Sequence, residues 1–268
     1  MSLRSFESDG TPVLSFQVLD GAGSVLAQRA PDREFYAAST IKLAVLIAAM
    51  RAVDAGRLAL DQELTATHTF RSAVPGGSEF GMDEDDFDEG MPAEGSPISL
   101  HDVLWRMVAV SSNEATNMVV DLVGLDAVAE ALAHCGARNS VMQRPIGDVE
   151  GRSAGLTNRV TAGDLAALMR AVITGAAASP ASTERMVSIL EAQQIPYLGK
   201  GLPTGTRFGS KSGWVDAIQH DVAFVAPSGD LASPETYVIA VCTRGYEEAD
   251  ATELLAGVSR LAWDLTAH

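Results

Sequence analysis

The chain has 268 residues and 47% of them are hydrophobic, which is enough for one large domain or two closely packed lobes with a substantial core. Its formal net charge of -16 argues against a nucleic-acid partner, because phosphate binding needs clustered cations. The longest apolar run, residues 43–50, is far shorter than the roughly 20 residues that a membrane-spanning helix needs, so no span is expected.

The cysteines indicate whether to expect a disulfide or a metal site, and residues 1–10 indicate whether to expect export of the protein. Cys135 and Cys242 lie far apart and match neither a disulfide framework nor a zinc spacing. No spacing of His or carboxylate residues indicates a metal, so we expect neither a metal nor a cofactor. Residues 1–10 lack the pattern of a secretory signal. We therefore expect either a cytoplasmic protein or an exported one whose signal was removed before this sequence begins.

Hydrophobic periodicity predicts strands at both ends of the chain and helices between them. An acidic, glycine-bearing stretch, residues 79–94, breaks the helical periodicity and is predicted to be a surface loop. The predicted strands are residues 13–18, 24–28, 207–216, 221–226 and 237–243. The predicted helices include residues 34–53, capped segments that start at Ser99, Thr161 and Ser179, and a closing helix over residues 251–265.

Strands at the two ends of a chain commonly complete one sheet. We therefore predict an α+β fold in which both termini form an antiparallel sheet flanked by helices, with an all-helical lobe inserted between them. The sheet lobe would comprise residues 1–56 and 201–268, and the helical lobe residues 57–200. Together they would make a single integrated domain, and we expect it to be a monomer.

The first motif is Ser39-Thr40-Ile41-Lys42, at the start of an apolar helix. Residues three apart share a helix face, so the hydroxyl and the amine can meet. A structural alternative is that Ser39 is merely the N-cap of the helix. The chain has three lysines against 16 arginines, and a buried amine can lose its proton whereas a guanidinium cannot. The scarcity of lysine therefore favours a basic role for Lys42.

Two further motifs follow along the chain. Ser111-Ser112-Asn113 interrupts an apolar helical run, where buried polar groups need partners. Lys211-Ser212-Gly213 lies on a predicted strand, and a glycine within a strand often marks close approach of a ligand or another backbone segment.

In the order S-x-x-K, S-x-N and K-[ST]-G, the three motifs resemble those of the penicillin-recognising serine hydrolases, and most closely the class A β-lactamases. The resemblance extends over nearly the whole chain. It implies the β-lactamase/transpeptidase-like fold and hydrolysis of a β-lactam amide through an acyl-enzyme on Ser39. The implied substrate is a small molecule, either a β-lactam or a peptidoglycan-like acyl-D-Ala compound.

The same resemblance implies a role for each matching residue. Lys42 would activate Ser39 as base or proton relay, and Ser111 would pass a proton to the leaving nitrogen. Asn113 would hold the substrate's side-chain amide and steady Lys42. Lys211 and Ser212 would bind the substrate carboxylate, Gly213 completes the third motif, and the backbone N–H groups of Ser39 and Trp214 would form the oxyanion hole.

This sequence departs from the class A pattern in two places. Ser112 stands where the second motif usually has aspartate, a position that we interpret as structural. The loop between Arg144 and Thr161 lacks the Glu-x-x-Leu-Asn pattern, whose glutamate activates the deacylating water in class A enzymes. Asp148 and Glu150 are the only carboxylates in that loop, so they are the candidates for deacylation.

The missing glutamate leaves two alternatives open. One is a relative of the D-Ala-D-Ala peptidases or esterases. The other is a β-lactam-binding protein, as in an antibiotic response, that is acylated without efficient turnover. The β-lactamase and both alternatives require Ser39 to react. The dipeptide His220-Asp221 opens a strand soon after the third motif, and we interpret it as structural.

Overall fold

A computed structural model describes residues 4–82 and 86–266 of the chain. Residues 83–85 of the acidic stretch lie outside the described part. The strands are β1 (Arg4–Ser5), β2 (Ser8–Asp9), β3 (Val13–Asp20), β4 (Val25–Arg29), β5 (Phe35–Tyr36), β6 (Glu63–Thr65), β7 (Thr69–Arg71), β8 (Glu79–Gly81), β9 (Pro97–Ser99), β10 (Val141–Met142), β11 (Asn158–Val160), β12 (Arg207–Val215), β13 (Ile218–Ala226) and β14 (Tyr237–Arg244). The α-helices are α1 (Lys42–Asp54), α2 (Leu100–Ala109), α3 (Asn113–Val123), α4 (Leu125–His134), α5 (Val149–Ser153), α6 (Ala162–Ile173), α7 (Pro180–Glu191) and α8 (Glu248–Thr266).

The central sheet combines strands from both ends of the chain, as predicted. Its five strands lie in the order β12-β13-β14-β3-β4, and every neighbouring pair is antiparallel. The five predicted strands and the closing helix are all present, with ends that differ by a few residues. The predicted α+β class is therefore confirmed.

Helices cover both faces of this sheet, which explains why β13 is buried along its whole length. Side chains alternate between the faces of a strand. Val222 and Phe224 belong to the core beneath α6, whereas Ala223 and Val225 pack with α8 in a second apolar cluster. Strands buried on two sides lose the polar alternation of a half-exposed strand, and the second half of β13, residues 222–226, is accordingly a continuous apolar run.

The middle of the chain is helix-rich, although it is not helical throughout. β6 pairs with β9, β7 pairs with β8, and β10 and β11 join β5 in a three-stranded sheet. These pairs are too short to show period-two alternation, so the sequence did not reveal them. The predicted boundaries of the two lobes stay a prediction, because α1 packs on α4 of the middle segment and α6 packs on β14 and β3 of the sheet. Within the described residues, no helix has the length and apolar character needed to cross a bilayer.

His220 ties the sheet to the segment that leads into α1. Its side chain is fully buried, with Nε2 2.9 Å from the carbonyl oxygen of Tyr36 and Nδ1 3.1 Å from the backbone nitrogen of Thr243. Because Nδ1 accepts from an N–H, we assign the ring proton to Nε2, which donates to Tyr36. Burial lowers the pKa of His220 to about 4. The imidazole is therefore a neutral structural link, and its role agrees with the interpretation from the sequence.

This link predicts a pH-dependent stability. From pH 6.5 down to about 4 an unfolded chain binds a proton at residue 220 and the folded chain does not, so the contribution of His220 to the free energy of unfolding falls as pH falls. The pKa difference corresponds to about 3 kcal/mol. Urea unfolding of the wild type and of His220→Gln should show the wild type losing about that amount relative to the variant between pH 6.5 and 4.

The comparison with the variant is needed because burial raises the pKa of Asp221 to about 7. Over the same pH range the folded chain holds a proton on Asp221 that the unfolded chain gives up, which stabilises the fold as pH falls. The variant retains Asp221, so the difference between the two proteins isolates His220. A difference that does not change with pH would contradict a neutral imidazole at this position.

Candidate active site

Ser39 lies in a single 3-10 turn, Ala38–Ile41, that precedes α1. The N-cap of this turn is Ala37, and no side chain caps it, so the alternative that Ser39 is an N-cap is wrong. Ala38 immediately before it has φ 44°, a left-handed conformation that costs a residue with a side chain about 1–3 kcal/mol. The fold thus holds a strained backbone next to the hydroxyl that the motif singles out.

Lys42 is fully buried and its amine is hydrogen-bonded to the second motif. Nζ lies 2.6 Å from the carbonyl oxygen of Ser111, 2.8 Å from Oδ1 of Asn113 and 3.3 Å from Oγ of Ser111. Two of these partners, a carbonyl and an amide oxygen, can only accept. An ammonium group would donate to all three oxygens, whereas a neutral amine, which has two N–H donors, would donate to two of them and keep one lone pair.

Lys211 approaches the same hydroxyl from β12. Its Nζ lies 3.1 Å from Oγ of Ser111 and 2.7 Å from the carbonyl oxygen of Ser212, and the side chain is fully buried. Ser111 has φ 62°, a second left-handed residue at the site. The first residue of the second motif therefore presents one hydroxyl to the amines of the other two motifs. The structure brings together in space what the sequence separates by 69 and 100 positions.

The two amines are held in conditions that disfavour their charge. Burial, and then the neighbouring Lys211, lower the pKa of Lys42 well below its usual range. Burial lowers the pKa of Lys211 to about 7, opposed by the carboxylate of Asp221. Both shifts follow from removing an ammonium group from water, and like charges in one pocket add to them. Burial thus favours the neutral amine at Lys42.

Gly213 lets β12 lie against the turn that carries Ser39. A β-carbon added to Gly213 would stand 2.6 Å from the backbone nitrogen of Ser39 and 2.8 Å from that of Thr40. Those are backbone atoms and cannot move aside like a flexible side chain. The glycine of the third motif is therefore a close-approach position, as its place within a strand indicates. It brings the backbone of Trp214 next to that of Ser39.

A cavity of about 530 Å³ opens above these groups. Ser39 of the first motif, Ser111 and Asn113 of the second, and Trp214, the residue that follows the third motif, line it. Lys42 and Lys211 are not among the residues that line it, but the amine of each contacts the hydroxyl of Ser111, which does line it. Ser212 Oγ is buried and has no hydrogen-bond partner within residues 4–82 and 86–266.

Ser112 and Asn113, the other two residues of the second motif, make different kinds of contact. The Ser112 side chain caps α3, accepting a hydrogen bond of 3.1 Å from the backbone nitrogen of Ala115. Asn113, the first residue of α3, contacts the Lys42 amine and lines the cavity. The structure therefore gives Ser112 a structural contact, in line with the interpretation from the sequence.

The two candidate carboxylates for deacylation are both engaged elsewhere. Asp148 is fully buried and caps α5, with its oxygens 2.7 Å from the backbone nitrogen of Gly151 and 2.9 Å from that of Ala73. Glu150 accepts from the hydroxyl and the backbone N–H of Ser78, which hold its pKa below the usual range. Asp148 touches the cavity of Ser39, whereas Glu150 lines a separate, smaller one.

Sequence reasoning missed Ile146, which also lines the cavity of Ser39. Asn117 holds its backbone on both sides: the Asn117 amide nitrogen donates to the carbonyl oxygen of Ile146 and its oxygen accepts from the Ile146 N–H, both at 2.8 Å. Asn117 lies four residues after Asn113, on the same face of α3. The i, i+4 spacing of Asn113 and Asn117 was the sequence feature from which this contact could have been inferred.

The loop that carries Ile146 is closed at its base by another asparagine. Oδ1 of Asn158 accepts from the backbone N–H groups of Gln143 and Arg144, and its amide nitrogen donates to the carbonyl oxygen of Arg144. Arg144 is itself buried, with its guanidinium donating to the carbonyl of Leu156. Hydrogen bonds to backbone groups therefore hold the loop over the cavity.

Comparisons with known proteins agree with this site. The model of the β-lactamase enzyme family matches residues 5–266. A β-lactamase from Sphaerobacter thermophilus is similar at 30% identity, with 96% of this chain and 91% of that chain covered and a TM-score of 0.79. The penicillin-binding protein PBP-A is 27% identical, with coverages of 97% and 91% and a TM-score of 0.76. An ancestral class A β-lactamase is 25% identical, with coverages of 94% and 94% and a TM-score of 0.76.

A search of curated proteins gives no significant match. The solved structures confirm the β-lactamase/transpeptidase-like fold that the three motifs implied. The family model and these structures also identify the reaction type, a serine hydrolase of the β-lactamase type that acts on a small-molecule substrate. Because the family model covers nearly the whole length of the sequence, the chain belongs to the β-lactamase enzyme family.

Proposed function

We propose that the protein opens β-lactams through an acyl-enzyme on Ser39 and releases the acyl group slowly. One observation carries the first half of this proposal. The hydroxyl of Ser111 lies within hydrogen-bond reach of both buried amines, 3.3 Å from Lys42 and 3.1 Å from Lys211, in the cavity that Ser39 lines. Such an arrangement supports proton movement from a nucleophile to a leaving group.

In the first step Ser39 Oγ attacks the lactam carbonyl carbon while its proton passes to the neutral amine of Lys42. The buried environment that lowers the pKa of Lys42 supports this role, since a base must be unprotonated to accept. In the apo structure the hydrogen bonds of this amine within the described residues go to Ser111 and Asn113. Rotation of the Ser39 side chain when substrate enters would bring the hydroxyl to the amine.

The carbonyl oxygen gains negative charge in that step, and the lactam nitrogen leaves. The backbone N–H groups of Ser39 and Trp214 would stabilise the oxyanion, each contributing about 3 kcal/mol in the transition state. As the carbon–nitrogen bond breaks, the nitrogen takes the proton of the Ser111 hydroxyl, and Ser111 regains one from Lys42. The charge of Lys211 and the hydroxyl of Ser212 would suit a substrate carboxylate beside Ser111.

The second half of the proposal, slow deacylation, rests on the loop above the cavity. Ile146 faces the cavity at the position that Asn117 supports, and an alkyl side chain cannot activate water. Asp148 accepts a backbone N–H group on each of its two oxygens, and Glu150 accepts from Ser78 and does not line the cavity of Ser39, so neither carboxylate is placed to activate water there. Their role in deacylation stays a prediction, and we favour a stalled acyl-enzyme.

A relative of D-Ala-D-Ala peptidases or esterases is the second candidate, and the same Ile146 favours it. One solved structure similar to this chain is a leucine-to-glutamate mutant of PBP-A in an acyl-enzyme complex with penicillin G, at 27% identity and with a TM-score of 0.77. That protein was thus studied with a glutamate in place of an alkyl side chain. The physiological substrate here would be an acyl-D-Ala compound, and that the protein acts as a monomer stays a prediction.

The acyl-enzyme is the first thing to test. Incubation with benzylpenicillin, followed by intact mass, should show an adduct equal to the mass of the antibiotic, because ring opening retains all its atoms. Ser39→Ala should show none. Turnover of a chromogenic cephalosporin, measured in parallel, should be slow relative to adduct formation. If neither adduct nor product forms with any β-lactam tested, the proposed function is wrong; rapid turnover would leave acylation intact and remove the slow-release part.

A second prediction concerns the amine of Lys42. Lys42→Arg keeps a cation but supplies no accessible base, so the rate of adduct formation should fall by about 100-fold or more. Lys200→Arg makes the same substitution at the exposed lysine and should leave the rate unchanged. Circular dichroism of both variants checks the fold. A folded Lys42→Arg protein that is acylated at the wild-type rate would contradict the role of the neutral amine.

A third prediction concerns Ile146. Ile146→Glu places a carboxylate over the acyl carbon and should raise the rate of deacylation by about 100-fold, as expected for a general base. Ile146→Gln has the same shape and cannot take a proton, so it is the matched control. Loss of the adduct is followed by intact mass after removal of excess benzylpenicillin. Equal deacylation rates in the two variants would show that Ile146 does not occupy the position of the missing base.

A further inference from the structure

The N-terminal residues form a small hairpin at the edge of the active site. β1 and β2 pair antiparallel with Arg4 opposite Asp9. The hydroxyl of Ser5 donates to the carbonyl oxygen of Asp216, in the turn after β12, at 3.0 Å. Asp9 forms an ion pair with Arg244 at the end of β14, at 3.8 Å. The hairpin is therefore attached to the end of the sheet next to the third motif.

The tip of the hairpin reaches across to the loop that covers the active site. The guanidinium of Arg152, on α5, stacks over the ring of Phe6 with 4.6 Å between its central carbon and the ring centroid. α5 belongs to the same loop as Ile146. The hairpin thus connects the two sides of the opening, the turn after β12 on one side and α5 on the other. Phe6 remains 88% exposed, an unusual state for a large apolar side chain.

Exposed apolar side chains are concentrated at this opening. Of the nine large hydrophobic residues that are exposed within residues 4–82 and 86–266, five line the cavity of Ser39 or the cavity beside it: Phe6, Phe87, Val149, Trp214 and Val215. Scattered exposed apolar residues need no explanation, but a contiguous group around a catalytic cavity is typical of a ligand-contacting surface.

The second cavity continues from the first. It has a volume of about 780 Å³, is walled by the hairpin residues 4–7, and shares Tyr36, Arg152, Trp214 and Val215 with the cavity of Ser39. The space available to a substrate is therefore much longer than the part above Ser39.

The direction of β12 tells which end of a substrate would enter this second cavity. With the substrate carboxylate near Lys211 and Ser212, and the carbonyl oxygen near the N–H of Trp214, the acyl side of the substrate points along the strand to Val215 and Asp216. The distance from Ser212 to Asp216 is about 13 Å at the rise of a strand. The acyl chain thus leads into the cavity beside the hairpin, and the leaving group points away from it.

We propose that the hairpin and Phe6 form a subsite for an extended acyl chain, so that the enzyme selects substrates whose acyl side carries an apolar or aromatic group well beyond the reacting carbonyl. This inference rests on the proposed function of Ser39. Phe6, Trp214 and Val215 supply the apolar contacts, and Arg152 holds the ring of Phe6 in place. The substrate class is a long, peptide-like acyl donor rather than a minimal β-lactam.

The charges around the second cavity narrow that class. Acidic side chains outnumber arginines in its wall: Glu7, Asp86, Asp216, Glu247 and Glu248 against Arg4 and Arg152. A carboxylate on the acyl chain would meet net negative charge, so the extension is apolar and uncharged or cationic. The one anionic group of the substrate is placed at the other end, beside Lys211.

The test compares two probes that differ in the acyl chain. 6-Aminopenicillanic acid has no acyl chain, and the second probe is a penicillin whose acyl chain is extended by a neutral aromatic dipeptide. Phe6→Ala should lower the second-order rate of acylation by the extended probe about tenfold, which is the scale of one lost apolar contact, and leave the rate with 6-aminopenicillanic acid unchanged. Phe6→Leu, which stays apolar, should retain most of the rate.

The control variant is Leu261→Ala, which removes an exposed apolar side chain from α8, outside both cavities. It should change neither rate. If Phe6→Ala lowers both rates equally, or lowers neither, the subsite does not exist. A wild type that no probe acylates counts against the proposed function instead. The subsite is then tested by calorimetry in Ser39→Ala, where adding Phe6→Ala should weaken binding of the extended probe about tenfold, and equal affinities overturn it.

Discussion

The sharing of one hydroxyl by two buried amines is the interaction on which the rest of this site depends. Two ammonium groups removed from water and placed around Ser111 repel each other, and the low polarity around them magnifies that repulsion. The favourable state therefore keeps one of the amines neutral. Burial, and then the neighbouring Lys211, lower the pKa of Lys42 well below its usual range, so Lys42 is the amine to which we assign the neutral state. Its basic character follows from where the fold buries it.

The surrounding structure holds Lys42, Ser111 and Lys211 in this arrangement. Ala38 and Ser111 both adopt left-handed backbone conformations, each at a cost of about 1–3 kcal/mol, and both are held by contacts with other elements. Gly213 permits the strand to press against the turn of Ser39, and His220 connects Tyr36, shortly before that turn, to β13 of the sheet. The large core of the sheet and helices offsets the strain, which leaves the reacting groups preorganised.

In the proposed function, the opposite wall of the cavity holds the acyl group and does not release it quickly. Amide side chains, Asn117 and Asn158, order the loop by neutral hydrogen bonds to its backbone. The carboxylates of this loop serve as structural acceptors, and an alkyl side chain occupies the place beside the cavity. The two halves of a hydrolytic cycle therefore depend on two independent parts of the fold, and a chain can retain the first half without the second.

Sequence alone determined the parts that depend on local pattern or on the chemical identity of a residue. The antiparallel strands at the termini, the closing helix, the three motifs and the special status of lysine in an arginine-rich chain all follow from periodicity and side-chain chemistry. The N-cap role of Ser112 was also foreseeable, because it depends on residues within one turn.

Tertiary structure alone decided the contacts between distant segments. That Lys42, Ser111 and Lys211 meet, that Asp148 and Glu150 are engaged by Ala73 and Ser78, and that an N-terminal hairpin borders the cleft depend on chain segments far apart in sequence. No local pattern encodes such a contact, since its geometry is set by the packing of whole helices against the sheet. Ile146 shows the difference plainly: within the sequence it is an ordinary apolar residue, and its position at the cavity makes it the residue on which release of the acyl group depends in the proposed function.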